Sequence, residues 1–287
     1  MIGAKAPAKL NLFFEVGPKR QDGYHEVLSL YQSLDLFEEV FVEPSTAWEV
    51  VVRGNLPQAE LDLVPRDESN LVVKAARLLA HEAGIANPQP MRFEIHKAVP
   101  AAGGVAGGSA DAAAALVALN QAWCLGFEKP QLISFGAELG ADVPFAILGG
   151  TAIGKGSGVE LTAIKPLESN HVLLVFSQPG ISTRDSFEVF DRLYPRGDLG
   201  LTKSELIDFD RSLIGRNSLL EPALELRPDL KAIMELVPGR VFLSGSGPTL
   251  YCISKSLDEL NSWKQVFEDA GYSALVSAFG KTGAELI

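Results

Sequence analysis

Residues 99–111 read VPAAGGVAGGSAD, and four of the six residues from 103 to 108 are glycine. The run follows residues 91–97 (MRFEIHK), whose alternating pattern predicts a strand. It precedes the alanine-rich residues 110–122, which predict a helix. Glycines let a backbone approach an anion closely, and a helix N-terminus offers free N–H groups with partial positive charge. The stretch therefore predicts a phosphate-binding loop, to which Ser109 adds a hydroxyl.

The commoner nucleotide-binding patterns are absent from this loop. Neither GxxxxGK[ST] nor GxGxxG fits residues 99–111. A tight strand-to-helix turn, with glycine required only for packing, remains an alternative, although four glycines exceed that need.

Three further clusters carry polar residues in apolar surroundings. Asp142, in GADVPF (140–145), is either a helix N-cap or a general base for a substrate hydroxyl. Lys9, in PAKLN (7–11), is either a surface lysine or a partner of Asp142 aimed at a transferred phosphoryl group. SGSGP (244–248) is either a bare hairpin loop or part of the same site.

Composition and charge restrict the class of partner. The 287-residue chain is 47% hydrophobic and carries a net charge of −11, which disfavours binding to nucleic acid or to an anionic membrane. No run approaches the roughly 20 apolar residues of a membrane span, and the N-terminus is a poor secretory signal, so we expect a cytoplasmic protein. Cys124 and Cys252 are expected to be buried free thiols.

Alternating strand and helix patterns predict a mixed α/β fold. Residues 8–16 predict a strand with Leu10, Leu12 and Phe14 on one face, and residues 26–43 a hairpin or meander broken near Asp35. A polar connection is expected over 53–68. Other expected strands are 171–176, 240–243, 249–254 and a final one at 273–279.

Capping residues mark several helix starts. We expect helices from Ser69 or Asn70 to about Ala83, over 130–139, from Ser182, from Thr202 with Glu205 in a capping box, and over 257–270. The polar break after Pro166 predicts a boundary between domains 1–166 and 167–287.

The glycine-rich loop and the three polar clusters, in their order along the chain, resemble the motifs of the GHMP kinases. This family phosphorylates small molecules such as galactose, homoserine and mevalonate. PAKLNL (7–12), KRQDGYHE (19–26), GGSADAAA (107–114), GADVPF (140–145) and LGGTAIGKG (148–156) resemble more narrowly one branch of that family. That branch acts on a cytidine-diphospho methylerythritol in the non-mevalonate isoprenoid pathway. DGYH (22–25) is the most specific element.

The resemblance implies a two-domain fold, with an N-terminal kinase domain and a C-terminal ferredoxin-like domain, that uses ATP and Mg²⁺. Lys9 and Asp142 match the family's catalytic pair. Asn11, Tyr24 and His25 match substrate contacts, with Tyr24 stacking on cytosine and His25 bonding its edge, and Phe187 matches the ring on the other face. The metal ligands stay unknown. The ATP phosphate loop is matched by Pro100, Ala101, Ala102, Gly103, Gly104, Val105, Ala106, Gly107, Gly108, Ser109 and Ala110.

Alanine departs from the family pattern at Ala102, Ala106 and Ala110, which stand where many members have glycine or serine. A methyl group there is costly only where φ is positive, so we still expect a working loop. The alternatives are another GHMP kinase, for homoserine, mevalonate or a sugar, and a non-catalytic nucleotide-binding member of the fold. The sequence is compatible with a monomer and with a homodimer.

Overall fold

Two β-sheets and the helices packed on them form the chain in the computed structural model, which describes residues 1–101, 103–168, 170–197 and 211–287. The strands are β1 (Ile2–Lys19), β2 (His25–Pro44), β3 (Glu49–Gly54), β4 (Met91–Lys97), β5 (Thr151–Lys155), β6 (Glu160–Ala163), β7 (His171–Phe176), β8 (Phe242–Leu243), β9 (Leu250–Ser254), β10 (Ser273–Ala278) and β11 (Glu285–Leu286). The larger sheet has seven strands, ordered β11-β1-β2-β4-β3, with β5 on β2 and β6 on β5. The smaller has four, ordered β10-β7-β9-β8. The predicted mixed α/β class is confirmed.

The helices cover one side of each sheet. They are α1 (Gln58–Leu61), α2 (Leu71–Glu82), α3 (Gly107–Ala122), α4 (Lys129–Leu139), α5 (Val143–Leu148), α6 (Thr183–Leu193), α7 (Leu220–Leu226), α8 (Asp229–Glu235) and α9 (Leu257–Asp269), with a 3-10 turn at Arg211–Leu213. Helix α3 is central and packs against β1, β2 and α2. Its alanines from Ala110 to Ala118 are fully buried, and their small size allows this close approach on several sides. Among the described residues no helix is long and apolar enough to cross a membrane.

Most predicted elements are present, and their caps explain where they begin. Asn70 accepts a hydrogen bond from the Val72 N–H at the start of α2, and Ser182 accepts one from the Asp185 N–H at the start of α6. Helix α3 begins at residue 107, three residues before the predicted start, because the glycines of the loop already adopt helical geometry. The helix predicted from Thr202 lies outside the described residues.

The hairpin or meander predicted for 26–43 is wrong, because β2 is one strand of 20 residues. Its pairing with β1 shifts register between Pro7↔Phe37 and Lys9↔Ser33, so the strand bulges and leaves Asp35 exposed. The bulge accounts for the polar interruption in the sequence.

A second register shift, between Asn11 and Phe13, changes the predicted face of β1. Leu10 and Leu12 pack in one core cluster with Phe13, whereas Phe14 belongs to another. Since an irregularity of this kind reverses the inward and outward positions, the grouping of Leu10, Leu12 and Phe14 on one face is wrong.

The sequence patterns do not indicate strands β3, β5, β6 and β11, and the polar connection expected over 53–68 contains the short helix α1. β3 pairs in parallel with β4, and β11 returns the chain end to β1 of the larger sheet. Cys252 is buried as expected, but Cys124 is exposed, because it lies in the left-handed turn that follows α3 at φ 53°. The division of the chain at residue 166 stays a prediction.

A buried charge cluster fixes the start of the glycine-rich loop. Nζ of Lys97, the last residue of β4, lies 3.0 Å from Oε1 of Glu38 in β2 and 2.7 Å from Oδ2 of Asp111 in α3. The carboxylate of Glu38 also accepts hydrogen bonds from the N–H groups of Ala98 and Val99, at 2.9 and 3.2 Å. The cluster therefore joins β2, β4, α3 and the entry to the loop.

The protonation of this cluster follows from its burial. Burial raises the pKa of Glu38 to about 7, and the Asp111 carboxylate adds to the rise while Lys97 opposes it. Burial likewise raises the pKa of Asp111. Burial alone would lower the pKa of Lys97, but the two carboxylates raise it. One ammonium facing two carboxylates is electrically balanced when the carboxylates share one proton.

We expect Glu38→Gln to remove a pH dependence of stability. The unfolded carboxyl loses its proton near pH 4.5 and the folded one near 7. Its stabilising contribution is therefore complete below about pH 4.5 and is lost as pH rises through about 7. Over that range the free energy of unfolding of the wild type should fall by on the order of 2 kcal/mol relative to the variant.

Urea unfolding at several pH values measures this difference. Glu39→Gln is the control, since Glu39 is the next residue of β2 and its side chain is 40% exposed. Equal pH slopes for the wild type and Glu38→Gln would contradict the assignment.

Ala106 places strain in the loop. It precedes α3 at φ 62° and ψ 32°, in the left-handed region, where its methyl group crowds the backbone. Glycine at this position would relieve about 1–2 kcal/mol of backbone strain, and its greater flexibility in the unfolded chain would cost about 0.5–1 kcal/mol. We therefore expect Ala106→Gly to raise the free energy of unfolding by about 0.5–1 kcal/mol.

Thermal unfolding measures the change, expected as a rise of about 2–3 °C. Ala83→Gly is the control, because Ala83 has a φ of −85° and glycine should destabilise there. Equal losses of stability in the two variants would refute strain at Ala106.

Candidate active site

A cavity of about 420 Å³ opens where the two sheets meet. Strand β1, the start of α3, the start of α6 and the loop 244–248 all contribute to its walls. The polar and glycine residues that line it include Lys9, Asn11, Gly103, Gly104, Gly107, Gly108, Ser109, Asp142, Ser182, Thr183, Gly245, Ser246 and Gly247. Three of the clusters singled out in the sequence therefore come together with the loop in one place.

Lys9 carries a nearly buried charge in this cavity. Its side chain is 6% exposed, and its Nζ lies 3.3 Å from Oδ2 of Asp142. The ammonium also donates a hydrogen bond of 2.6 Å to Oδ1 of Asn11 and lies 5.5 Å from the ring centre of Tyr31. Because an unpaired ammonium is costly to bury, these three partners hold it in place. The surface-lysine alternative does not apply.

Asp142 lies at the N-cap position of α5, but its side chain makes no capping hydrogen bond. Its carboxylate instead faces Lys9 and is 30% exposed to the cavity. The helix before it ends at Gly140, so the chain turns sharply and presents the carboxylate inward. The side chain is thus paired with a cation and still has lone pairs free to accept a proton.

A chain of hydrogen bonds orients Asn11. Its Nδ2 donates to Oγ of Ser29 at 2.7 Å, and Ser29 in turn donates to the carbonyl of Phe13 at 3.0 Å. This arrangement turns Oδ1 of Asn11 towards Lys9. Asn11 therefore lies in the site as expected, while its contact with a substrate stays a prediction.

Tyr31 closes the side of the cavity beneath Lys9. Its ring stacks on Phe145 with centroids 5.0 Å apart. Burial, together with the nearby charge of Asp142, raises the pKa of the Tyr31 phenol well above its usual value. The phenol therefore keeps its proton and does not compete with Asp142 as a base.

The glycine-rich loop surrounds the start of α3. Residues 103, 104 and 106–109 line the cavity, so the first-turn N–H groups of α3 lie at its wall. Val105 and Ala110 are fully buried, and Ala102 lies outside the described residues. The structure thus places the loop at the cavity wall, and its contacts with phosphate stay a prediction.

The loop SGSGP (244–248) packs directly on the first loop. Ser244 Oγ donates to the carbonyl of Gly104 at 3.0 Å, and the Thr249 N–H donates to the carbonyl of Gly103 at 3.2 Å. Gly104 has a φ of 74°, and a Cβ there would lie 2.7 Å from the carbonyl oxygen of Ser244. Glycine is required at this contact, and the second loop is therefore part of the site as well as a hairpin turn.

A second cavity, of about 230 Å³, lies on the other side of Gly108. Its walls combine the apolar side chains of residues 63–65 and 71 with Lys97 and Asp111. Oδ1 of Asp111 is buried and makes no hydrogen bond there. Leu71 and Gly108 border both cavities, so the two cavities are neighbours at the start of α3.

Of the aromatic residues predicted to bind substrate, Phe187 lines the first cavity, whereas Tyr24 and His25 do not. Phe187 lies in α6, and Tyr24 is 66% exposed in the turn between β1 and β2. His25 follows Tyr24 and is buried, with its ring stacked on Phe187 at a centroid distance of 5.2 Å. Nδ1 of His25 lies 2.9 Å from the carbonyl oxygen of Gly17, and Nε2 lies 3.0 Å from Oδ1 of Asp191 in α6. Their substrate contacts stay predictions.

Sequence reasoning missed several of these residues. Ser29 and Tyr31 interrupt an apolar strand, which is a signal that could have pointed to them. The buried pairing of Lys97 with Glu38 and Asp111 joins residues far apart in sequence, and no local pattern indicates it.

Comparisons with known proteins agree with this geometry. Residues 70–150 match the model of the GHMP kinases N terminal domain. The 4-diphosphocytidyl-2-C-methyl-D-erythritol kinase of Nocardioides sp. is 37% identical, with 99% of each chain covered. That of Nocardia farcinica is 41% identical, covering 88% of this chain and 85% of the relative.

Solved structures show the same fold. A crystal structure of 4-(cytidine 5'-diphospho)-2C-methyl-D-erythritol kinase matches with a TM-score of 0.75 and 28% identity, covering 97% of this chain and 99% of that one. Homoserine kinase from Cytophaga hutchinsonii matches with a TM-score of 0.71 and 20% identity, covering 100% and 97%, which shows likeness of fold alone. By its relatives and its fold, the chain belongs to the 4-diphosphocytidyl-2-C-methyl-D-erythritol kinase family of GHMP kinases.

Proposed function

We propose that this chain transfers the γ-phosphoryl group of ATP to a hydroxyl of 4-diphosphocytidyl-2-C-methyl-D-erythritol. The product is the 2-phosphate, an intermediate of non-mevalonate isoprenoid precursor biosynthesis. Family membership supports the substrate. The observation that carries the chemistry is the Lys9–Asp142 ion pair, which faces the same cavity as the first turn of α3. We further propose that the enzyme acts in the cytoplasm.

ATP would lie across the two cavities. Its base would occupy the smaller one, among the apolar side chains of residues 63–65 and 71. Its phosphates would then pass Gly108 and lie against the first-turn N–H groups of α3, where the helix dipole favours negative charge. The loop 244–248 supports this cradle from the opposite side.

The phosphoryl transfer follows from the placement of Lys9 and Asp142. The substrate hydroxyl oxygen forms a bond to the γ-phosphorus while Asp142 accepts the hydroxyl proton. The bond between the γ-phosphorus and the β–γ bridging oxygen breaks, which releases ADP. Lys9 orients the Asp142 carboxylate and offsets the negative charge of the transferred group. Asn11 keeps the Lys9 ammonium in position.

Mg²⁺ fits this site only as a companion of ATP. Among the residues described, no three His, Cys, Asp or Glu side chains gather as a metal site. Mg²⁺ commonly binds through substrate phosphates and keeps several waters, so a dedicated protein cage is not needed. Ser109 lines the cavity at the start of α3, and we propose that its side chain contacts the ion. When bound, the ion would neutralise phosphate charge.

Tyr24 and Phe187 would hold the cytosine of the substrate. Stacking of a base on an aromatic ring is worth about 1–3 kcal/mol. Phe187 lines the cavity and stacks on His25, and Tyr24, the residue before His25, is exposed at the tip of the β1–β2 hairpin. His25, which directly follows Tyr24 in the chain, would contact the edge of the base.

A substrate panel tests the proposed function. ADP production would be followed with ATP and, in turn, the cytidyl substrate, homoserine, mevalonate and galactose, with mass spectrometry of each product. We expect the cytidyl substrate to be converted to a phosphomonoester. For the other acceptors, kcat/KM should be at least about 100-fold lower than for the cytidyl substrate, since they lack the base that Tyr24 and Phe187 would hold.

Two outcomes would contradict the proposal. Comparable turnover of homoserine, mevalonate or galactose would indicate a different GHMP kinase. ATP binding without ADP production from any acceptor would indicate a non-catalytic member of the fold.

A further inference from the structure

Helix α6 packs on the β1–β2 hairpin through an apolar cluster, and one of its carboxylates, that of Asp191, also contacts both strands. Lys19 and His25 are the last cross-strand pair of this hairpin. Asp191 of α6 contacts both, with Oδ2 2.9 Å from Nζ of Lys19 and Oδ1 3.0 Å from Nε2 of His25. One side chain thus bridges both strands of the hairpin and the helix packed beside them.

The same two elements carry the aromatic residues of the proposed cytosine site. Phe187 precedes Asp191 by four residues in α6, so both side chains lie on one face of the helix. Tyr24 directly precedes His25 at the hairpin tip. The distance between the two aromatic walls therefore depends on how α6 sits against the hairpin.

Ring contacts support the same attachment. The His25 ring stacks on Phe187 with an interplanar angle of 28°, and Phe190 meets it edge-on with centroids 5.8 Å apart. These contacts fix the His25 ring only while α6 stays in place. The Asp191 side chain is 34% exposed and that of His25 is 5% exposed, so the contact is partly shielded from water.

The C-terminal end of α6 is also held by contacts with α7. Arg192 pairs with Glu225 of α7, and the Tyr194 hydroxyl donates to Glu221 at 2.5 Å. Loss of Asp191 would therefore loosen α6 from the hairpin without detaching it from α7.

We propose that Asp191 is a positioning residue for the cytidyl substrate. It acts through Lys19 and His25, and holds Phe187 at the distance from Tyr24 that a cytosine ring requires. The role rests on the proposed function, because it presumes a base between these rings. Asp191 is remote from Lys9 and Asp142 in this arrangement and takes no part in the phosphoryl transfer.

Steady-state kinetics of Asp191→Ala test this role. We expect KM for the cytidyl substrate to rise about tenfold, with kcat and KM for ATP within twofold of wild type. Asp191→Glu, which keeps the charge, should recover part of the loss. Glu188→Gln is the matched control, because Glu188 lies on the same helix, is exposed and pairs only within α6 with Arg184 among the described contacts.

Hydrogen exchange provides a readout that needs no substrate. In Asp191→Ala, amides of residues 19–27 should exchange faster than in wild type, whereas Glu188→Gln should match wild type. An unchanged KM for the cytidyl substrate, or equal changes in kcat and both KM values, would overturn the positioning role.

The two proposals can fail separately. If the wild type does not phosphorylate the cytidyl substrate, the proposed function fails, and the substrate role of Asp191 fails with it. If the wild type is active and Asp191→Ala has wild-type KM and wild-type exchange, only the role of Asp191 fails.

Discussion

The ammonium of Lys9 imposes the strongest single constraint on this molecule. It stands in the middle of the longest buried strand pair, where an unpaired charge would be costly, and it is held by Asp142, Asn11 and the face of Tyr31. Each of these partners comes from a different part of the larger sheet or its helices. The fold must therefore bring all of them to one point, and that point is where the two sheets leave a cavity.

The two glycine-rich loops give this cavity its other wall. Gly104 can approach the carbonyl of Ser244 only because it has no side chain. Beneath the first loop, Lys97 and its two buried carboxylates set where the strand ends and the helix begins. The loop that we propose for the phosphates is thus fixed by the buried charges on one side and by close backbone packing on the other, which suits a reaction that relies on positioning and electrostatics.

Local sequence patterns were sufficient for much of the fold. Caps such as Asn70 marked helix starts correctly, because the capping hydrogen bond is made within a few residues. Features that depend on distant pairing were missed or misread: the bulge at Asp35, the return of β11 to β1, and the buried charges around Lys97. The glycine-rich loop and the segments around Lys9 and Asp142 could be predicted because their motifs are local. Asp191 could not, because its contacts with Lys19 and His25 are made only when α6 packs on the hairpin.

The most direct test of this account is the turnover of Asp142→Asn with ATP and the cytidyl substrate. The amide keeps the shape and the cavity but cannot accept the proton, so kcat should fall by about 10²–10⁴ while both KM values stay within a few fold. Glu138→Gln, an exposed acid in the preceding helix, should retain wild-type activity. A kcat for Asp142→Asn within about threefold of wild type would contradict the central role of the Lys9–Asp142 pair.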